Sequence, residues 1–355
     1  MKILVLFGDG IGPEITAATL SVLGAVDSKL KLGLRIEQAA IGFASLKASG
    51  STCPDAVLER IPQVDGVILG PVSHSDYPAR DQGGINPSAK LRVMFDLGAN
   101  IRPARSRDGL GILRAPMDLI IVREVTEGFY ADRNMHAGIA EFMTDPDTAL
   151  SVRKITARAC RRVAHAAFTL AGERRGNVTA VHKVNVLKLT DGLFLRTVRE
   201  VAKGYPAITL DEMLVDSAAA ALIRSPDRFD VIVTTNMFGD ILSDEAAELT
   251  GGLGLAGSVN VGDDICVAQA QHGSAPDIAG QGIANPTSLI LSAAMLLDWR
   301  GRRDANASLV EGARRIEAAV DAVLDDPASR TRDLGGPLDT GEFTAAVVAA
   351  IEAAQ

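Results

Sequence analysis

Short β-branched runs, each ended at once by polar or glycine residues, alternate along this chain with stretches of helical periodicity. That alternation constrains the fold more than any other feature. Residues 2–7 read as a buried strand that stops at Gly8-Asp9-Gly10, ahead of a helix running from about Pro13 through Val26. Val67 to Leu69, Leu119 to Val122, Val178 to Val181 and Val231 to Thr234 repeat the theme. Ser151 is placed as the cap of a helix carrying Ile155, Cys160, Val163 and Phe168. Asp191 opens another, with Leu195, Val198 and Val201 inward and Gly204 as its stop. Asn285-Pro286 starts an apolar helix over Leu289 to Leu297, and the alanine-rich segment from Gly341 reads as a closing helix. The fold class predicted is α/β, with a largely parallel sheet and helices on both faces. No linker or internal repeat divides the chain, so two lobes can share one sheet, with the chain crossing between them more than once.

Composition narrows the function. The 355 residues carry a net charge of −8 and only 4% aromatic side chains. Nucleic acid is therefore not the expected partner, because its phosphates need Lys and Arg and its bases need stacking platforms. Cys53, Cys160 and Cys266 are far apart, with neither disulfide-framework nor metal-ligand spacing, which favours a cytoplasmic location. No apolar stretch reaches ~18 residues, so no membrane span is expected. The opening apolar run is too short for a signal-peptide core.

In sheets of this kind ligands gather beyond the carboxyl ends of the strands. The residues standing there are Asp9, Arg123-Glu124, Lys183-Val184-Asn185 and the segment from Asn236 to Asp244, with Arg92 and Arg102 nearby in sequence. Arginines and aspartates converging on one cleft suit an anionic ligand and a hard cation. Asp240 and Asp244 lie i, i+4 at a helix start and point from one face. Oxygen ligands so placed suit Mg²⁺ or Mn²⁺; a solvated acidic helix start is the plainer alternative. Asp216 is placed on an apolar helical stripe with Met213, Ala220 and Ile223, where a carboxylate is costly unless paired. A buried ion pair, a cap or a metal ligand reaching across an interface would each explain it. Lys183 is a candidate base if neighbouring cations and partial burial lower its pKa, and Tyr130 a candidate acid. His74, His136, His165 and His182 form no pattern and read as structural or surface residues.

Gly8-Asp9-Gly10-Ile11-Gly12-Pro13 invites a dinucleotide fingerprint, but Pro13 stands where its third glycine is required. The better cofactor candidate is the small-residue loop His272-Gly273-Ser274-Ala275-Pro276-Asp277-Ile278, which runs on to Asn285 and a helix N-terminus. Asp277 could accept hydrogen bonds from a ribose diol and repel an extra ribose phosphate.

Taken together, these segments resemble the β-decarboxylating dehydrogenases, the family of isocitrate, isopropylmalate, homoisocitrate, tartrate and D-malate dehydrogenases. The resemblance is carried by Gly8 to Glu14, Leu91-Arg92, Ile101-Arg102-Pro103, Val122-Arg123-Glu124 through Tyr130, and His182-Lys183-Val184-Asn185 with Lys188, Asp191 and Gly192. The segment Thr235-Asn236-Met237-Phe238-Gly239-Asp240-Ile241-Leu242-Ser243-Asp244 is nearly the family signature itself. What it implies is a two-lobed, non-Rossmann fold. Residues 1–98 and 250–355 would form a discontinuous cofactor lobe, and residues 99–249 the lobe for substrate, metal and dimerisation. It further implies a homodimer in which Lys183 and Asp216 serve the partner's site beside Asp240 and Asp244. Arg92, Arg102 and Arg123 would hold a hydroxy di- or tricarboxylate. Tyr130 and Lys183 would transfer protons, and Asp277-Ile278 would mark NAD as the cofactor.

Three departures from the family pattern stand out, the first bearing on nicotinamide-side contacts and the last on the substrate. Gln269 stands where relatives usually carry Glu, three positions before the loop histidine. Val125 replaces the Asn of many isocitrate and tartrate enzymes. In the specificity stretch Gly84 to Arg92, Asn86 and Ser88 invert the usual order, and the paired leucines that cradle an isopropyl group are missing. Leaving roughly three carbons poorly buried forfeits ~0.8 kcal/mol per CH₂, so a polar or small 3-substituent is expected. The alternatives are a non-catalytic regulatory subunit, which retention of Tyr130, Lys183 and all three aspartates disfavours, and a dehydrogenase of phosphorylated hydroxy acids, which would not need three arginines.

Overall fold

The computed structural model describes residues 1–113, 115–130, 135 and 140–354; His136 lies outside them. Its strands are β1 (Lys2–Leu6), β2 (Arg35–Ala39), β3 (Gly66–Leu69), β4 (Ala99–Arg105), β5 (Asp118–Arg123), β6 (Glu141–Asp145), β7 (Thr148–Ser151), β8 (Asn177–His182), β9 (Thr209–Leu214), β10 (Val231–Thr234), β11 (Val259–Val261) and β12 (Cys266–Gln269). The helices are α1 (Gly12–Leu30), α2 (Gly42–Ser49), α3 (Asp55–Leu58), α4 (Pro87–Met94), α5 (Ala157–Gly172), α6 (Thr190–Ala202), α7 (Val215–Arg224), α8 (Asn236–Leu249), α9 (Thr287–Arg303), α10 (Ala307–Asp325) and α11 (Thr340–Ala353).

One 10-stranded sheet has the order β2-β1-β3-β12-β11-β4-β5-β10-β8-β9. The four strands at one end are mutually parallel, as are the four at the other. Between them β11 pairs antiparallel with β12 and β4, and β4 antiparallel with β5. The two parallel sets therefore run in opposite directions, unlike a doubly wound dinucleotide fold.

Alternation along the strands divides the core. Ile3, Val5, Ile120 and Val122 face a continuous core closed by α1, α5, α6 and α9 to α11. Leu4 and Leu6 face the opposite side, in a patch with Val57, Leu58 and Leu91 of α3 and α4. On that same side Leu119 and Ile121 join Ala218, Leu222, Leu242 and Ala246 of α7 and α8 in a separate patch. Between these two patches the sheet carries buried polar side chains, among them Asn100 and Arg102 of β4, and α4 and α8 flank this polar cleft. Behind the sheet, a cavity of about 950 Å³ opens between α5 and α9 over Ile101, Pro103, Val259 and Val261. None of the candidate site residues lines it.

Two local expectations are corrected. The cap of α5 is Thr156, whose side chain accepts from the Ala159 N–H; Ser151 ends β7 instead. Met213 lies in β9, not on the helix of Asp216, and the stripe of Asp216, Ala220 and Ile223 on α7 is exposed rather than buried. The pairing option for Asp216 is the one observed, but at the surface, as described below.

The hairpin of β6 and β7 packs none of its residues into the body; all nine are exposed. Asp145-Pro146-Asp147 is a turn signal that could have revealed it. No helix among the described residues is long and apolar enough to cross a membrane.

Candidate active site

Arg102 and Arg123 enter the cleft from adjacent antiparallel strands, where Asn100 is in register with Arg123. Both are nearly buried, at 6% and 2% exposure, and a buried cation requires anionic or acceptor partners. Arg102 donates to Asn100 (2.5 Å), Ser243 (2.7 Å), Asp244 (3.2 Å) and Asp240 (3.4 Å). Arg123 donates to Asn236 at 2.7 and 3.0 Å and forms an ion pair with Asp240. Burial first, and then the neighbouring Arg123 charge, pull the Arg102 guanidinium down to about 10.

The helix spacing thus does what it predicted. Asp240 and Asp244 share one face of α8, and a single guanidinium nitrogen of Arg102 bridges them. The Tyr130 hydroxyl donates to Asp240 at 3.4 Å, and the Gln271 amide to Asp244 at 2.8 Å. Gln271 is a contributor that the sequence did not single out, and Asn236 and Ser243, inside the segment from Asn236 to Asp244, gain their contacts only when the fold brings them to the cluster.

Gly239 is needed for this packing. A Cβ there would lie 2.6 Å from Cγ of Arg123 and 3.2 Å from Cγ2 of Thr234. Helix propensity favours Ala over Gly by ~1 kcal/mol, yet we expect Gly239→Ala to displace Arg123 and lower kcat/KM by roughly tenfold through misplaced substrate. Unchanged steady-state kinetics would show that Arg123 has room to move.

α4 faces α8 across the cleft. Asn86 caps it, its side chain accepting from the Ala89 N–H at 3.1 Å. The buried Ser88 hydroxyl donates to Gln269 at 2.9 Å, so two of the departures from the family pattern touch. Arg92 is half-buried on the same helix.

Lys183 and Asp216 stand apart from this cluster. Lys183 Nζ pairs with Asp216 at 2.6 Å, with the aspartate side chain 63% exposed. The neighbour of Lys183 is thus a carboxylate rather than the expected cations. Lys183 bonding lowers the Asp216 pKa from the usual carboxylate value. Among the described residues no three of His, Cys, Asp and Glu gather as a metal site, so one copy of the chain brings together only Asp240 and Asp244.

Glu124 and Glu127 precede Tyr130 in the chain and are buried. Glu124 accepts from Thr126 and from the Glu127 N–H, and Glu127 from the N–H and hydroxyl of Thr156. Burial, reinforced by Glu124, pushes the Glu127 carboxyl up to about 7. Its folded pKa exceeds the unfolded one, so the folded state holds the proton more tightly. The penalty is absent below about pH 4.5, grows as pH rises and is complete above about pH 7. We expect the melting temperature of Glu127→Gln to fall less than that of the wild type between pH 5 and 8; parallel curves would rule this out.

The first turn and the cofactor-candidate loop are joined. Gly10 has φ +58°, and a Cβ on it would lie 1.9 Å from the Ser274 carbonyl, which accepts the Ile11 N–H at 2.8 Å. Ser274 also bonds Ser73 at 2.7 Å. Asp9 accepts from the Phe43 and Ser73 N–H groups and from Tyr77, which makes it an anchor for neighbouring turns. Asn285 uses both ends of its amide on Thr287 and Asp333. Gly273, Pro276 and Asp277 are exposed, and Ala275 and Ile278 are half-buried. His272 bonds the Gly273 carbonyl through Nδ1, while its buried Nε2 has no partner. Burial lowers its pKa. A buried ring nitrogen left over beside exposed small residues fits a loop that holds a ligand.

Comparison with known proteins identifies the family. The profile of the isocitrate/isopropylmalate dehydrogenase family matches residues 2–347. The isocitrate/homoisocitrate dehydrogenase of Thermus thermophilus is 44% identical over 99% of this chain and 98% of its own length. The 3-isopropylmalate dehydrogenase of Archaeoglobus fulgidus is 41% identical over 99% of each. The crystal structure of isocitrate dehydrogenase from Methylococcus capsulatus superposes with a TM-score of 0.87 at 40% identity, covering 99% of both chains. Family match, relatives and fold extend over essentially the whole length, and the chain belongs to the isocitrate/isopropylmalate dehydrogenase family.

Proposed function

We propose that this chain catalyses NAD-dependent, divalent-metal-dependent oxidative decarboxylation of a 3-carboxy-2-hydroxy acid, as a homodimer with shared sites. The observation that carries the reading is the cluster in which Arg102 reaches both Asp240 and Asp244 while Arg123 and Tyr130 reach Asp240. The donors on this face of α8 are carboxylate oxygens, which suit Mg²⁺ or Mn²⁺. The Asp277-Ile278 loop and the unpartnered His272 nitrogen suit the dinucleotide. In this reading residues 1–98 and 250–355 carry the cofactor, and residues 99–249 the metal and the dimer contacts.

Asp240 and Asp244 of one copy with Asp216 of the other would hold the ion, which would supply Lewis-acid polarisation of the substrate hydroxyl, and the loop from His272 to Ile278 would hold NAD, which would supply the hydride acceptor. Arg92, Arg102 and Arg123 grip the carboxylates, for which a planar fork is better suited than an ammonium. Lys183 takes the C2 hydroxyl proton, and Tyr130 returns a proton to C3 after CO₂ leaves. The products are a 2-oxo acid shortened by one carbon, CO₂ and NADH.

Dimerisation is supported by what one copy leaves uncovered. Val186, Leu189, Ile223 and Ile241 are each more than half exposed, near Lys183, Asp216 and Asp240 in sequence. A lone two-stranded hairpin such as β6 and β7 is marginal in water, and a second copy would give it a surface to pack on. The same second copy would bring its Lys183 and Asp216 to Asp240 and Asp244.

The test is NADH formation with Mg²⁺ or Mn²⁺ across isocitrate, homoisocitrate, isopropylmalate, tartrate and D-malate. With polar Asn86 and Ser88 where an isopropyl group would need leucines, we expect an acid with a polar or small 3-substituent to give the highest kcat/KM. Preference for isopropylmalate would overturn the substrate assignment, and a folded dimer inert towards all five would overturn the reaction.

A further inference from the structure

Arg153 lies two residues past the end of β7, with only 7% of its side chain exposed. Its guanidinium pairs with Asp191, which is fully buried, and donates to Thr190 Oγ1 and Thr235 Oγ1, each at 2.9 Å. The same group sits over two rings, 5.7 Å from the centroid of Phe129 and 5.3 Å from that of Phe238.

All of these partners except Thr190 support an element that carries a group assigned to the chemistry. Phe129 precedes Tyr130. Thr235 is the N-cap of α8, and Phe238 sits in its first turn, two residues before Asp240. Asp191 accepts the backbone N–H of Lys183 at 2.5 Å through its other oxygen. A single planar cation thus touches the mounting of the base, the acid and a candidate metal ligand.

We propose that Arg153 is a positioning residue that holds Lys183, offered to the second copy, in register with Tyr130 and Asp240 of the same chain's own site. The inference rests on the roles given above to Lys183 and Tyr130. Its physical basis is the number of fixed contacts. A guanidinium presents five donors in a rigid fork and stacks on aromatic faces, whereas an ammonium keeps only a point charge on a flexible stem. Buried Asp191 needs that cation, and with it in place the Lys183 backbone has one orientation. Misplacing a reacting group by ~1 Å can cost on the order of 100-fold in rate. The loss is expected in kcat, because what Arg153 contacts are the supports of Lys183, Tyr130 and Asp240.

The experiment compares wild type, Arg153→Lys and Arg153→Met as full-length dimers on the best substrate of the wild type. Arg153→Lys should lose ~10-fold in kcat and Arg153→Met ~100-fold, with KM for the hydroxy acid and for NAD within about threefold of wild type. A role in packing alone would lower the melting temperature and leave kcat of the folded dimer unchanged. That result, kcat within twofold of wild type in a folded variant, or a rise in KM with kcat unaltered, would each overturn the proposal. If Arg153→Met does not fold, Arg153→Lys decides by the same criteria. Absence of turnover in the wild type would overturn the reading on which the inference rests, a result distinct from equal turnover in wild type and variant.

Discussion

Lys183→Met is expected to lower kcat by on the order of 10³-fold, the range over which a positioned acid or base contributes, while metal-dependent substrate binding stays within a few-fold. Methionine keeps the length and apolar stem of lysine and removes only the amine. The lost ion pair with Asp216 is a small structural matter, because that carboxylate is 63% exposed and water can take over. Removing the amine also removes the hydrogen bond that lowers the Asp216 pKa, and the group remains ionised at neutral pH all the same. Calorimetric titration with substrate and Mg²⁺ separates binding from turnover. Turnover near the wild-type rate would take Lys183 out of the mechanism.

The second large effect concerns which chain Lys183 serves. Asp240→Asn removes a candidate metal ligand and should be inactive alone, as should Lys183→Met. If sites are shared across a two-fold axis, a heterodimer of the two variants contains one site with both defects and one with neither. Isolated through distinct tags, that heterodimer should recover roughly half the activity of the wild-type dimer. If Lys183 acts within its own chain, both sites are broken and no activity returns. Folded homodimers of each variant, verified by circular dichroism and gel filtration, are the controls. The exposed Lys183–Asp216 pair and the absence, among the described residues, of a three-carboxylate cluster are the observations that make recovery the expected result.

Strands β1, β3, β5, β8 and β10 were legible because each is buried on both faces and so is written as a continuous β-branched run. β4 was not legible. Its sequence, Ala-Asn-Ile-Arg-Pro-Ala-Arg, places Arg102 toward the cleft and Ile101 toward the rear cavity, and such mixed burial erases the apolar signal. β9 was absorbed into a helical stripe because it leads directly into α7, and an exposed edge strand has no burial pattern to separate the two. Within the site, Asp240 and Asp244 could be paired by spacing alone, since i and i+4 on one helix are neighbours whatever surrounds them.

Local side-chain pattern was therefore enough for the fold class, for the strand ends where chemistry would gather and for the carboxylate pair on α8. Contacts between distant segments lay outside its reach. Arg102 meets Asp240 across 138 positions, and Arg153 meets Thr235 across 82. The first depends on the antiparallel pairing of β4 with β5 beside α8, and the second on the end of β10 lying beside the segment that follows β7. Burial energy sets that arrangement collectively, through the packing of α4 on one side and α8 on the other, and no single segment carries a record of its partner.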